Sequence, residues 1–148
     1  MPTSAPTDRI DLTSAAPEAF RALIALSAVD QGLDPALAEL VKVHTSQLNG
    51  CDYCTGLHRA AAQQAGVAGA KLDDLPERQR SARFTAAEQA ALDLAEHLTL
   101  VATHGVPDEV YQAASRHFDE SELASLLWTV AATNTWNRIG IAGRAGAH

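Results

Sequence analysis

Apolar residues recur along this chain every three or four positions, with polar residues between them, which is the pattern of amphipathic helices. Phe20, Leu23, Ile24 and Leu26 form a first stripe, opened by Pro17 at a first helical position and closed before Gly32. Asp34-Pro35 opens a second helix with Asp34 as N-cap. Leu37, Leu40, Val41, Val43 and Leu48 follow at helical intervals until Asn49-Gly50 stops it. A third helix is expected over residues 51–66, then a short helical turn over 70–75 broken by Pro76. Thr85-x-x-Glu88 is a capping box leading into Ala90, Ala91, Leu94, Leu98 and Val101, with Gly105 as the stop. Pro107 starts another segment with Val110 and Tyr111 facing inward. Asp119-x-x-Glu122 resembles a second capping box, ahead of Leu123, Leu126, Leu127, Val130 and Ala131. Residues 85–103 and 119–139 are therefore expected to be mostly helical. No stretch alternates with period two between turns, so no strand is expected and the class is all-α.

Composition narrows the picture. At 148 residues the chain is long enough to bury one core, and it reads as a polar arm over 1–12, pinned by Ile10 and Leu12, followed by a single helical domain over 13–148. The 5% aromatic content is low, and alanine and leucine, both helix formers, fill the 47% hydrophobic fraction. Eleven Lys and Arg against 18 Asp and Glu give a net charge of −7 with no basic stripe, which argues against nucleic-acid binding. No apolar run approaches the ~18 residues that would span a bilayer. The opening residues MPTSAPTDRIDL have neither the basic nor the apolar region of a signal peptide, so a cytoplasmic protein away from membranes is expected.

The candidate chemistry lies in Asn49-Gly50-Cys51-Asp52-Tyr53-Cys54. Two thiols at a helix start sit where free backbone N–H groups and the positive end of the dipole favour thiolate, the nucleophilic form. Two intervening residues let the sulfurs meet in a disulfide once one has been oxidised. His58, four residues after Cys54, falls one turn further on the same face and can take or return a proton. Glu39 stands twelve residues before Cys51 in an apolar setting where a carboxylate wants a partner. If the two helices pack antiparallel through the Asn49-Gly50 turn, Glu39 faces His58 and orients it.

The segment ELVKVHTSQLNGCDYCTGLH, from Glu39 to His58, resembles the AhpD-like alkylhydroperoxidases of the carboxymuconolactone decarboxylase superfamily. RIDLTSAAPEAFRALIAL, FTAAEQAALDLAEHLT, HGVPDEVYQAASRHFDESELASLL and NTWNRIGIA extend the resemblance over most of the chain. It implies a single-domain helical bundle that assembles into dimers, trimers or hexamers. It also implies a peroxidase cycle without a cofactor or metal. Cys54 attacks a peroxide substrate and becomes sulfenic acid, and Cys51 resolves it to the disulfide. A lipoamide- or thioredoxin-like dithiol donor reduces the disulfide, and Glu39 and His58 relay protons. The best-known members carry His just before the second cysteine, where this chain has Tyr53, so a second imidazole is absent. Decarboxylase members lack the cysteine pair.

Each residue also has a plainer reading. The cysteines could be two small buried apolar groups, or Cys51, Cys54, His58 and His44 could hold zinc, although structural zinc sites usually pair well-separated ligands in domains with little core. His58 could be a solvated surface residue and Glu39 an ordinary surface carboxylate. His44 reads equally as packing or pocket rim. His97, His104, His117 and His148 read as surface or helix-end residues. Trp128 and Trp136, two turns apart, read as core or subunit interface rather than a substrate box, and the string Asn134, Trp136, Asn137 and Arg138 as helix–helix hydrogen bonding rather than a pocket lining. The Leu- and Trp-rich closing helices suggest more apolar surface than one subunit buries. Two functions stay open: a thiol-dependent peroxidase, and a homo-oligomer whose cysteine pair only switches or stabilises assembly.

Overall fold

The computed structural model describes residues 9–29 and 32–143. His148 and the first eight residues of the arm lie outside them. In chain order the helices are α1 (Leu12–Ala15), α2 (Pro17–Ser27), α3 (Pro35–Leu48), α4 (Asp52–Gln64), α5 (Gly69–Asp74), a 3-10 helix (Leu75–Arg80), α6 (Ala86–Thr99), α7 (Val101–His104), α8 (Asp108–Ser115) and α9 (Glu120–Gly143). Among the described residues there is no strand, and the domain is all-α.

Local chemistry sets the helix ends where the sequence places them. Asp34 accepts the N–H of Leu37 and Pro35 begins α3. Thr85 and Glu88 exchange both capping-box bonds ahead of α6, and Asp119 and Glu122 do the same ahead of α9. Pro76 lies in the first turn of the 3-10 helix that continues directly from α5, so the chain changes helix type there rather than leaving helix. Residues 85–103 are interrupted once, at Leu100 between α6 and α7.

Helices α3, α6 and α9 meet around one core built from Leu40, Val41 and Val43 of α3, Leu92 and Leu94 of α6, and Leu126 and Val130 of α9. Leu72 and Leu75 close it. Burying each leucine is worth roughly 1.5–3 kcal/mol, and this core supports the α3–α4 hairpin. Two inward-facing expectations fail. Tyr111 is exposed while Val110 packs against the core, because adjacent positions on a helix point about 100° apart. Val101, placed beyond the Leu100 break, is also exposed.

The N-terminal segment is attached differently. Neither α1 nor α2 contains a buried residue. Arg9, not Ile10, ties the arm down: its guanidinium donates to the carbonyls of Ile141 and Ala142, whereas Ile10 is exposed. Phe20 meets Trp136 edge-on at 5.8 Å, and the Trp136 indole N–H donates to Ser27 Oγ at 2.7 Å, pinning α2 against α9. No described helix is long and apolar enough to cross a membrane.

Candidate active site

The turn between α3 and α4 fixes the first cysteine. Gly50 has φ +68°, a left-handed conformation that costs glycine least. The N–H of Gly50 bonds the carbonyl of Gln47, and that of Cys51 bonds the carbonyl of Ser46, the paired bonds of a Schellman stop. Cys51 is then at once the residue that completes the end of α3 and the N-cap of α4, with its Sγ accepting the N–H of Cys54 at 3.4 Å. Backbone N–H groups at a helix start favour negative charge on sulfur. Cys51 and Cys54 are joined in a disulfide, and both are buried. The turn thus holds Cys51 by its backbone N–H and by its sulfur.

An asparagine network holds the same turn from behind. Asn49 Nδ2 donates to Oδ1 of both Asn134 and Asn137 at 2.9 Å. Asn137, fully buried, donates in turn to Ser46 Oγ, and Arg138 donates to Asn134 Oδ1. The asparagines thus serve helix–helix bonding, whereas among the described residues Arg138 bonds only Asn134, one turn back on its own helix. From the sequence Asn49 reads only as a helix stop, because its asparagine partners lie 85 and 88 residues away.

Antiparallel packing of α3 and α4 brings Glu39 to His58, with Oε2 3.1 Å from Nδ1. Lys42 donates to the other carboxylate oxygen, Oε1, at 2.8 Å. Burial pushes the Glu39 carboxyl up. The hydrogen bonds from His58 and Lys42 and the lysine charge outweigh it, leaving the group below its ordinary value of 4.5. An ionised carboxylate only accepts, so Nδ1 of His58 donates in this bond and Nε2 is the nitrogen left for another partner. Among the described residues no protein group bonds that Nε2. Cys54 lies one turn back on α4, with Cβ atoms of such a pair about 5–6 Å apart. Lys42 was missed because an i, i+3 acid–base pair on a helix reads as ordinary surface pairing.

His44 turns away from the cysteines. Its Nε2 lies 3.2 Å from Glu96 Oε2, and the ring is buried beside Arg78, which also bonds Asp93 and Gln89. Packing, not the pocket rim, is its place, and the four ligands considered for zinc are not brought together. Among the described residues no group of three or more His, Cys, Asp or Glu could hold a metal ion. His97 is partly buried, its Nδ1 has no partner and its ring lies 5.7 Å from that of His104, so the surface reading fails for it. His104 and His117 are exposed at helix ends.

A cleft of about 210 Å³ opens beside this pair, between α2, α3 and α9. Lys42 and His58 stand at its polar end, and Trp128 and Trp136 form a wall. Trp128 is 55% exposed, so it is not core.

A cysteine pair capping a helix, with a carboxylate-oriented imidazole one turn on, defines an all-helical thiol protein of the AhpD-like kind. The chain belongs to the carboxymuconolactone decarboxylase family, whose model matches residues 15–97. It is 30% identical over 138 residues to the uncharacterized protein YdfG of Bacillus subtilis, covering 92% of this chain and 94% of that one. A protein of unknown function from Agrobacterium tumefaciens, suggested to be the antioxidant defence protein AhpD, superposes with a TM-score of 0.89 at 30% identity, over 94% of this chain and 97% of the other. The alkylhydroperoxidase AhpD core of an uncharacterized peroxidase-related protein from Ralstonia eutropha gives 0.74 at 25% identity, over 87% and 70%. The family is named for a decarboxylase, so membership establishes descent and fold without naming the reaction.

Proposed function

We propose that the chain is a thiol-dependent peroxidase. The observation that carries this reading is the Cys51–Cys54 disulfide at the start of α4, with the Glu39–His58 pair one turn beyond it. His58 Nε2 takes the proton of the Cys54 thiol. The Cys54 thiolate attacks one peroxide oxygen, the O–O bond breaks, and the leaving alkoxide takes the proton back from His58 and departs as alcohol. Cys54 is now sulfenic acid. The Cys51 thiol attacks it, water leaves and the disulfide forms. A dithiol donor, lipoamide- or thioredoxin-like, restores both thiols and becomes a disulfide itself. Glu39 holds the His58 tautomer and balances the imidazolium. The protein works in the cytoplasm, and as a homo-oligomer, which the exposed apolar surface of Tyr53 and Leu57 on one subunit supports.

That exposed surface also favours a second reading, a redox-switched assembly. Tyr53 and Leu57 flank the buried disulfide on the same helix, so closing or opening it would alter a contact surface. One experiment separates the two. Peroxide consumption is followed with dihydrolipoamide, thioredoxin or glutathione as donor, alongside light scattering of the oxidised and reduced protein. Multiple turnovers in wild type, lost in Cys54→Ser, support the peroxidase. A change of mass without turnover supports the switch. Trapping of sulfenic acid should label Cys54 in Cys51→Ser, and labelling of Cys51 in Cys54→Ser at the wild-type rate would reverse the two roles.

A further inference from the structure

The cleft between α2, α3 and α9 is unused by the mechanism above except at its His58 end. We propose that it is the binding site for the organic part of the substrate, selecting an uncharged compound about the size of one aromatic ring with short substituents. This rests on the peroxidase reading for its chemistry, though not for the binding itself.

Three observations lead there. The first is size. A dry cavity of about 150 Å³ accommodates benzene, and this cleft measures about 210 Å³. That leaves room for a ring, two or three further carbons and one polar group. The second is the lining. Leu26, Val29 and Leu33 face the indoles of Trp128 and Trp136, and Trp136 is set by its bond to Ser27 Oγ and its edge contact with Phe20. Flat, fixed aromatic walls suit a ring better than a flexible chain. The third is charge. The charged groups at the polar end are Lys42 and Glu39, bonded to each other at 2.8 Å. The lining residues from α2 and α9 carry no charge. A carboxylate entering there would lose water to meet a cation already matched, whereas a neutral oxygen finds Nε2 of His58. Substrate bound this way has its polar end at His58, one turn from Cys54. The organic part stays against the tryptophans while the O–O bond is broken.

The test exploits the composition: Trp128 and Trp136 are the protein's only two tryptophans, so intrinsic fluorescence reads the cleft directly. The probe is 2-phenyl-2-propanol, the alcohol that leaves when cumene hydroperoxide is reduced; it cannot turn over. Titration of the full chain should give a saturable fluorescence change, the same in wild type and Cys54→Ser. The similar-sized carboxylate 2-phenylpropanoate should bind at least ~10-fold more weakly. Ala132→Leu on α9 and Ala38→Leu on α3 fill the cleft from opposite walls. Each should abolish the response and raise KM for cumene hydroperoxide relative to hydrogen peroxide about tenfold. Two folded variants guard against misfolding of either. No saturable change with the alcohol overturns the proposal, and so does equal binding of the carboxylate. A fluorescence change on diluting the protein that the alcohol does not affect also overturns it, because a second copy then covers the cleft. Saturable binding with no peroxide turnover upholds the cleft and refutes the peroxidase reading.

Discussion

Helix α3 carries two imidazole–carboxylate contacts of nearly equal length, and they face different worlds. Glu39 meets Nδ1 of His58 at 3.1 Å, and five residues on, about 140° around the helix, His44 meets Glu96 at 3.2 Å. In the first pair both side chains keep 18% of their surface exposed, and the imidazole edges a cleft beside the cysteine pair. In the second the imidazole is buried, and its carboxylate is shared with Arg78, itself 3% exposed and bonded to Asp93 and Gln89 as well. Burial first, and the Arg78 charge next, hold the His44 imidazole below its ordinary value of 6.5, so it stays neutral. Distance alone does not make a proton relay. A relay also needs access for a reacting group, and of the two imidazoles His58 borders a cleft while His44 is buried.

The comparison breaks most sharply by removing the centre of each pair. His58→Ala should lower the rate of peroxide consumption by roughly 10²–10⁴, the usual worth of a positioned acid–base group, with little change in melting temperature because the ring is partly exposed. A stopped-flow assay at saturating donor measures it, and an undiminished rate would remove His58 from the mechanism. Arg78→Ala should do the reverse. It strips a buried cation from Asp93 and Glu96 and should cost about 3 kcal/mol in urea unfolding, the lower end for a broken buried pair because both carboxylates keep some exposure. Peroxide turnover per folded molecule should stay unchanged. Glu39→Gln comes next in size. The amide can still accept from His58 but carries no charge, a loss of about 1 kcal/mol or roughly five-fold in rate. A fall as large as that of His58→Ala would mean that Glu39 does more than orient its neighbour.

The helices and the Cys54–His58 spacing were legible in the sequence for one physical reason: both are local. Capping boxes at Thr85 and Asp119, the stop at Gly50 and the Cys54–His58 spacing all act within a turn or two. Glu39 was placed by a single long-range assumption, that a tight turn folds α3 back on α4, and the Schellman bonds at Gly50 and Cys51 enforce it. What the sequence did not disclose depends on contacts between distant segments. His44 finds Glu96 across 52 residues, and Trp136 finds Ser27 across 109. Trp128 is apolar enough for a core, and only its helix's angle against α3 puts it at a cleft. The arm shows the same thing in part: of the two expected pins Leu12 is half-buried and Ile10 is exposed, while an arginine reaches backbone carbonyls at the end of α9.

The smallest expected effect sharpens the comparison furthest, because it asks for a difference in pH dependence and not in rate. His44 is held below 6.5 when folded, so as pH falls through that value the unfolded chain takes up a proton that the folded one refuses. Stability is therefore lost from about pH 6.5 downward, until the folded imidazole also protonates. Glu39 and Glu96 behave differently. Burial raises both, but hydrogen bonds and nearby cations more than compensate, and their folded values lie below 4.5. The stability they contribute is complete above about pH 4.5 and is lost as pH falls through those folded values. Acid unfolding should thus draw on His44 first and on the carboxylates second. His44→Asn keeps a donor for Glu96 but cannot titrate. It should flatten urea midpoints between about pH 7 and pH 5 relative to wild type, leave the steeper loss below pH 4.5 intact, and leave the pH profile of peroxide consumption where it was. Equal slopes in the two proteins would show that the buried imidazole is not the titrating group. A displaced activity profile would show that the two pairs on α3 are coupled after all.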